Sequence, residues 1–280
     1  MLPTLFLSHG SPMHAINAGA AGDVWAALAR SVATPKAVLM VTAHWETDVP
    51  TLSGSAAPPM IYDFSGFPDA LYKIQYHAPG DPALAMRAAA RLTEAGIRSA
   101  VDTSRGFDHG TWVPLLKMFP DARIPVVQLS VQPALSPMHH FQVGRALAGL
   151  ADEGVLIVGS GHLTHNLQDW MMSRDQHGRM AYATEFQQWV HGQLVAHNVD
   201  ALCQYRETSP QGLRSHPTPE HFLPLFVAWG TAENDGKHAV AQRVFDGFEG
   251  AALAMDAYRF KPLVLNPGSK PSVAQPPLKV

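Results

Sequence analysis

Cysteine is nearly absent: Cys203 is the only one in 280 residues. No disulfide can form within the chain, which excludes a disulfide-stapled secreted scaffold. Long hydrophobic runs are missing too, because Lys, Asp, Pro or His breaks each one well short of the ~20 residues a membrane helix needs. Met1 to Leu7 offers neither a basic leader nor an apolar segment of signal-peptide length, so the expected location is the cytoplasm. Charge is scarce, at 15% of residues, and 20 Lys plus Arg against 23 Asp plus Glu leave a net −3. No cationic stripe forms that could neutralise a row of phosphates, so nucleic acid is not expected as a partner. What the chain does have is 46% hydrophobic residues, enough for a sizeable core, and 15 histidines.

The apolar residues alternate between short buried-strand runs and helical patterns. Ala37 to Val41 is a continuous β-branched and aliphatic run of the kind covered on both faces, and Pro3 to Leu7, Ile124 to Leu129 and Val155 to Val158 also read as strands. Tyr72 to Tyr76 and Ile97 to Val101 are weaker strand candidates. Helices are expected over Gly22 to Val32, Gly110 to Met118, Pro137 to Leu150 and Met180 to His197. Asp81-Pro82 opens another through Glu94, with Asp81 as N-cap and Pro82 at the first helical position. Thr218-Pro219 has the same form and would place His221 in a first helical turn. The fold class expected is α/β: one domain with a central, mostly parallel or mixed sheet and helices on both faces. It should span residues 1–260. Five prolines and three lysines between Lys261 and Val280 read as a surface or disordered tail.

Several histidines follow strand runs directly. In open α/β sheets ligands bind beyond the carboxyl ends of the strands, and there lie His9, His44 and either His162 or His165. One imidazole at a strand end means little. Three on separate strands are what a transition-metal site requires, since neutral imidazole is the commonest protein ligand for zinc, copper and iron. His221 is the candidate for the remaining ligand, with Glu220 as a competing donor. Three histidines suit zinc; two with a carboxylate suit non-heme Fe(II). His109, in Gly106-Phe107-Asp108-His109-Gly110, is either an acid/base or a helix-capping group. His139, His140, His191 and His197 fall on polar helix faces and read as solvated.

Other motifs are poor. Gly159-Ser160-Gly161 lacks the further glycines and acidic residue of a dinucleotide site, and Ser160 lacks the Gly-x-Ser-x-Gly frame of a hydrolase nucleophile. Cys203 has no basic partner nearby in sequence.

Seven segments together resemble a known family: Leu7-Ser8-His9-Gly10-Ser11-Pro12-Met13, Ala43-His44-Trp45, Asp63-Phe64-Ser65-Gly66-Phe67-Pro68, Gly106-Phe107-Asp108-His109-Gly110, Val127-Gln128-Leu129-Ser130, His165-Asn166-Leu167 and Pro217-Thr218-Pro219-Glu220-His221. They are similar, in order, to the class III (LigB-type) extradiol aromatic ring-opening dioxygenases, in the branch that includes DOPA 4,5-dioxygenase. The resemblance implies that His9, His44 and His221 hold a metal. It also implies that His165 is the acid/base and His109 a second catalytic residue, while His162 is incidental. The implied cofactor is Fe(II), with Zn(II) possible in purified protein, and the implied reactants are a small catechol and O2. Trp45 and Phe64 are candidates to pack against the substrate ring, and Trp112 reads more as core. A zinc hydrolase and a non-enzymatic binding protein on the same fold are the rival readings.

Overall fold

A computed structural model describes residues 1–173, 178–233 and 238–262. Its strands are β1 (Thr4–Ser8), β2 (Ala37–Glu46), β3 (Thr51–Ser53), β4 (Ala100–Asp102), β5 (Val126–Val131), β6 (Val155–Gly161), β7 (Ala239–Phe245), β8 (Phe248–Glu249), β9 (Leu253–Ala254) and β10 (Ala257–Pro262). Eight of them form one mixed sheet in the order β4-β3-β5-β2-β6-β1-β10-β7, and β8 pairs with β9. The central four, β5-β2-β6-β1, are parallel. β10 and β7 extend the sheet antiparallel beyond β1, and β3 joins β5 antiparallel at the other side.

The central strands are mostly apolar because both faces are covered. Leu5, Leu7, Val38, Met40, Leu156 and Val158 pack with Trp25, Leu28, Trp112 and Leu115 of the helices Gly19–Arg30 and His109–Met118. The alternate residues Leu39, Val41, Val127, Leu129 and Ile157 face the other way, against the helices Pro82–Glu94, Pro137–Leu147 and Leu223–Ala232. The expected α/β class and the four buried strands are therefore present. Asp81 caps its helix as expected, its Oδ1 accepting from Leu84 N at 2.8 Å. Among the described residues no helix is long and apolar enough to cross a membrane.

Five expectations are corrected. Tyr72 to Tyr76 is not a strand: Leu71–Lys73 is a 3-10 turn, and the alternating Tyr72, Ile74 and Tyr76 cover an irregular segment with no neighbouring ladder. Pro219 does not start a helix. Its carbonyl accepts from Phe222 N and Leu223 N in a turn, and the helix begins at Leu223 with Pro224 at the favoured early position, so His221 precedes it. His140 is not solvated; it is buried, its Nε2 accepting from Gln132 N at 3.0 Å, and burial pushes its pKa down to about 3. His197 lies past the end of the helix Ala181–Val195, on a backbone with φ of +54°. Of the segment read as a tail, Lys261 and Pro262 belong to β10, and residues 263–280, like His177, lie outside the described residues.

Candidate active site

His9 directly follows β1, and its N–H continues the parallel ladder to Gly161 O at 3.0 Å. His44 lies near the end of β2. The third imidazole comes from the turn before Leu223–Ala232, which lies against the end of β6. His162 N donates to His221 O at 2.8 Å, and a Cβ on Gly161 would sit 2.1 Å from that same oxygen. Only glycine leaves room for the turn to approach. Three strand ends and one turn thus converge at the carboxyl edge of the parallel strands, as the sequence implies.

The partner facing each Nδ1 assigns the imidazole protons. Ser160 Oγ–H donates to the Gly110 carbonyl, so its oxygen accepts from His9 Nδ1–H at 3.0 Å. Glu220 Oε1, which only accepts, takes His221 Nδ1–H at 2.8 Å. His44 Nδ1 is 3.3 Å from Asp63 Oδ2. With each proton held on Nδ1, the Nε2 atoms are all bare acceptors, yet His9 and His44 bring theirs to 3.0 Å and His44 and His221 to 3.3 Å. Three facing lone pairs with no proton between them repel, and a cation at their centre removes the repulsion. Nitrogens bound to one ion at 2.0–2.1 Å lie roughly 2.9–3.4 Å apart, which matches. Burial, followed by the neighbouring imidazoles, holds the pKa values of all three well below the ordinary histidine value, which keeps them neutral, the form in which an imidazole can bind a metal.

Asp63 ties the next residue in. Its Oδ1 accepts from both Nδ1 (2.9 Å) and the backbone N (3.0 Å) of His109 while Oδ2 faces His44. Burial would raise its pKa, but the His109 hydrogen bonds and the imidazole charges outweigh that and hold it down at about 2. One ring nitrogen each from His9, His44 and His109 lies within 4.8 Å of the others, so His109 stands at the rim of the same centre. Beneath it the buried Asp108 accepts from Thr42 Oγ1 at 2.7 Å and Arg105 Nη2 at 2.8 Å, and Arg105 Nη2 also donates to His44 O.

His165 stacks on His221, with ring centroids 3.4 Å apart and planes 14° from parallel, and its Nδ1 is 4.0 Å from Glu220 Oε1. Burial first and the His109 charge second bring its pKa down to about 4. His162, also buried, accepts from Gly10 N at 3.1 Å through Nε2 and so ties the end of β1 to β6. Phe64 presents its ring edge-on to His109, 5.8 Å away, and continues into Tyr72, Phe67 and Trp112. Trp45 follows His44 on β2 and points to the opposite face, with Arg105 5.0 Å over its ring. Cys203 is no nucleophile, its thiol pushed up to about 12 by burial and Asp200. The structure adds functional partners that the sequence reading missed: Asp63, Ser160 and Glu220 as proton acceptors for the three imidazoles, and the Arg105–Asp108 pair. Of these, Asp63, Asp108 and Glu220 sat inside the quoted motifs, but nothing in their spacing gave the pairing.

The pattern described as the catalytic LigB subunit of aromatic ring-opening dioxygenase matches residues 3–252. The chain belongs to this family. Proteins named 4,5-DOPA dioxygenase extradiol are similar to this LigB-family chain: that of Portulaca grandiflora is 42% identical, covering 92% of this chain and 95% of its own, and that of Escherichia coli K12 is 40% identical, covering 91% and 93%. The crystal structure of an uncharacterised Escherichia coli K12 protein superposes with a TM-score of 0.76 at 34% identity, over 92% of this chain and 99% of that one. Fold, histidine constellation and family together make this LigB-family protein an extradiol ring-cleaving dioxygenase.

Proposed function

We propose that the protein opens the ring of a DOPA-like catechol beside its diol, using a divalent iron held by His9, His44 and His221. The observation that carries this reading is the convergence of three imidazoles whose Nε2 atoms meet at His44, 3.0 Å from that of His9 and 3.3 Å from that of His221, while each Nδ1 faces Ser160, Asp63 or Glu220. The names of the relatives support the substrate class. A bound Fe(II) with only three protein ligands supplies open coordination positions and the one-electron chemistry that O2 activation needs.

The chain's own residues do the rest. His165, neutral and stacked on His221, turns Nδ1 toward Glu220, which leaves Nε2 to take a diol proton and later return it. His109, fixed by Asp63, is the second polar group at the rim. Phe64 offers an aromatic edge against which the substrate ring can pack, on an otherwise apolar wall. Trp45, with its ring under Arg105, is left a supporting role beneath His44.

Oxygen uptake is the direct test. Metal-stripped protein is reloaded anaerobically with Fe(II) or Zn(II), given substituted catechols, and followed by electrode and visible absorbance. The expected outcome is one O2 consumed per coloured ring-opened product with Fe(II) alone. No uptake across the panel, with iron shown to be bound, overturns the reading.

A further inference from the structure

A second group of imidazole and carboxylate side chains gathers where three other elements end. His197 follows the helix Ala181–Val195, Glu233 follows the helix Leu223–Ala232, and His238 immediately precedes β7. His197 Nε2–H donates to Glu233 Oε1 at 2.6 Å, and His238 Nδ1 stands 3.5 Å from Glu233 Oε2. The two imidazole rings are 4.0 Å apart between centroids, and one ligand atom from each of the three residues lies within 4.8 Å of the others.

The group is held in shape by its surroundings. Glu233 is mostly buried, and its Oε1 also accepts from Ala239 N at 2.7 Å, which fixes the carboxylate with Oε2 toward His238. His197 takes the left-handed backbone conformation, uncommon outside glycine, and this bend brings its ring back over Glu233 rather than out along the helix axis. A cleft of about 210 Å³ adjoins the two imidazoles, floored by Leu194 and Ala239, and leaves room for waters to complete a coordination shell. An orienting hydrogen bond behind a carboxylate and open space in front of it are what a metal site has and a plain ion pair does not need.

We propose that His197, Glu233 and His238 form a second metal site, separate from the active centre, that takes a divalent transition-metal ion. Two nitrogens and one carboxylate oxygen select zinc, nickel or copper over magnesium or calcium, which are bound by oxygen alone. On binding, the Nε2 proton of His197 gives way to the ion and the ring carries its proton on Nδ1. The ion clasps the ends of two helices to β7, the edge strand of the sheet.

Native mass spectrometry of metal-stripped protein titrated with Zn2+ tests this by counting ions per chain. His238→Ala alters a side chain that is 68% exposed, and His197→Asn keeps a residue that tolerates the left-handed backbone, so both variants are expected to fold. Each is expected to bind one Zn2+ fewer than the wild type, and His238→Ala to retain wild-type oxygen uptake. Zinc should also raise the melting temperature of the wild type more than that of His238→Ala. An ion count equal to that of the wild type in either variant overturns the proposal.

Discussion

An imidazole can offer one nitrogen to a metal only while the other keeps the proton, so what stands behind each ring matters as much as the ring. Here Ser160, Asp63 and Glu220 fill that role for His9, His44 and His221. Such partners are typically worth ~10- to 100-fold in metal affinity, and Glu220→Gln, which keeps the shape and loses the charge, should weaken Fe(II) or Zn(II) binding by that order in a chelator competition. His165→Ala separates ligand from acid/base. It should leave metal content unchanged and cut turnover by ~10²- to 10⁴-fold, whereas loss of the metal would make His165 a ligand. The five histidines of the centre were legible in the sequence because they sit at strand ends or in short motifs. Two of their acceptors were not, since His9 and Ser160 are 151 residues apart and His109 and Asp63 are 46 apart, and only the fold brings them together.

At the scale of elements, the centre depends on how closely the turn before Leu223–Ala232 can approach β6. A methyl at Gly161 would meet His221 O at 2.1 Å, and backbone cannot yield as a flexible side chain can. Gly161→Ala should therefore push the His221 turn outward, lowering metal content and costing ~1–3 kcal/mol, the usual range for overpacking. Gly192→Ala is the control: it lies within a helix with nothing near its Cβ position, and should be neutral or stabilising by up to about 1 kcal/mol. If Gly161→Ala melts and binds metal like the wild type, close approach is not what places His221. The same physics explains which elements could be read in advance. β1, β2, β5 and β6 are buried on both faces and announce themselves as aliphatic runs. β3 is three residues long, and β7 and β10 carry Gln, Arg and Lys along a half-covered flank, so no periodicity marks them. The helix start was misplaced by four residues because Pro219 and Pro224 both fit an N-terminal proline, and the choice lies in which carbonyls are free to accept.

For the whole molecule, the buried titratable groups set opposing slopes of stability against pH. His140 and His216 are buried neutral, with burial bringing both pKa values down to about 3. The unfolded chain protonates such groups below about 6.5 and the folded one does not, so stability falls as pH drops from there toward 3. Asp256 works the other way. Burial, reinforced by Asp246, raises its pKa to about 7 against the pull of its hydrogen bond from Gln187 and of Arg243. Between the ordinary 3.8 and about 7 the unfolded chain has released this proton and the folded chain still holds it, so its share of stability is lost as pH rises through that window and is constant above it. The loss is at most about 4 kcal/mol, at 1.36 kcal/mol per pH unit. Because the histidines slope oppositely over much of the same range, the wild-type curve alone does not separate them. The difference between wild type and Asp256→Asn does: an amide cannot ionise, so the variant should gain on the wild type steadily from pH 4 to 7 in chemical unfolding, then hold a constant advantage to pH 9. A difference that does not change with pH would mean that Asp256 is already ionised in the fold at pH 4, held by Arg243 and Gln187 more strongly than burial opposes.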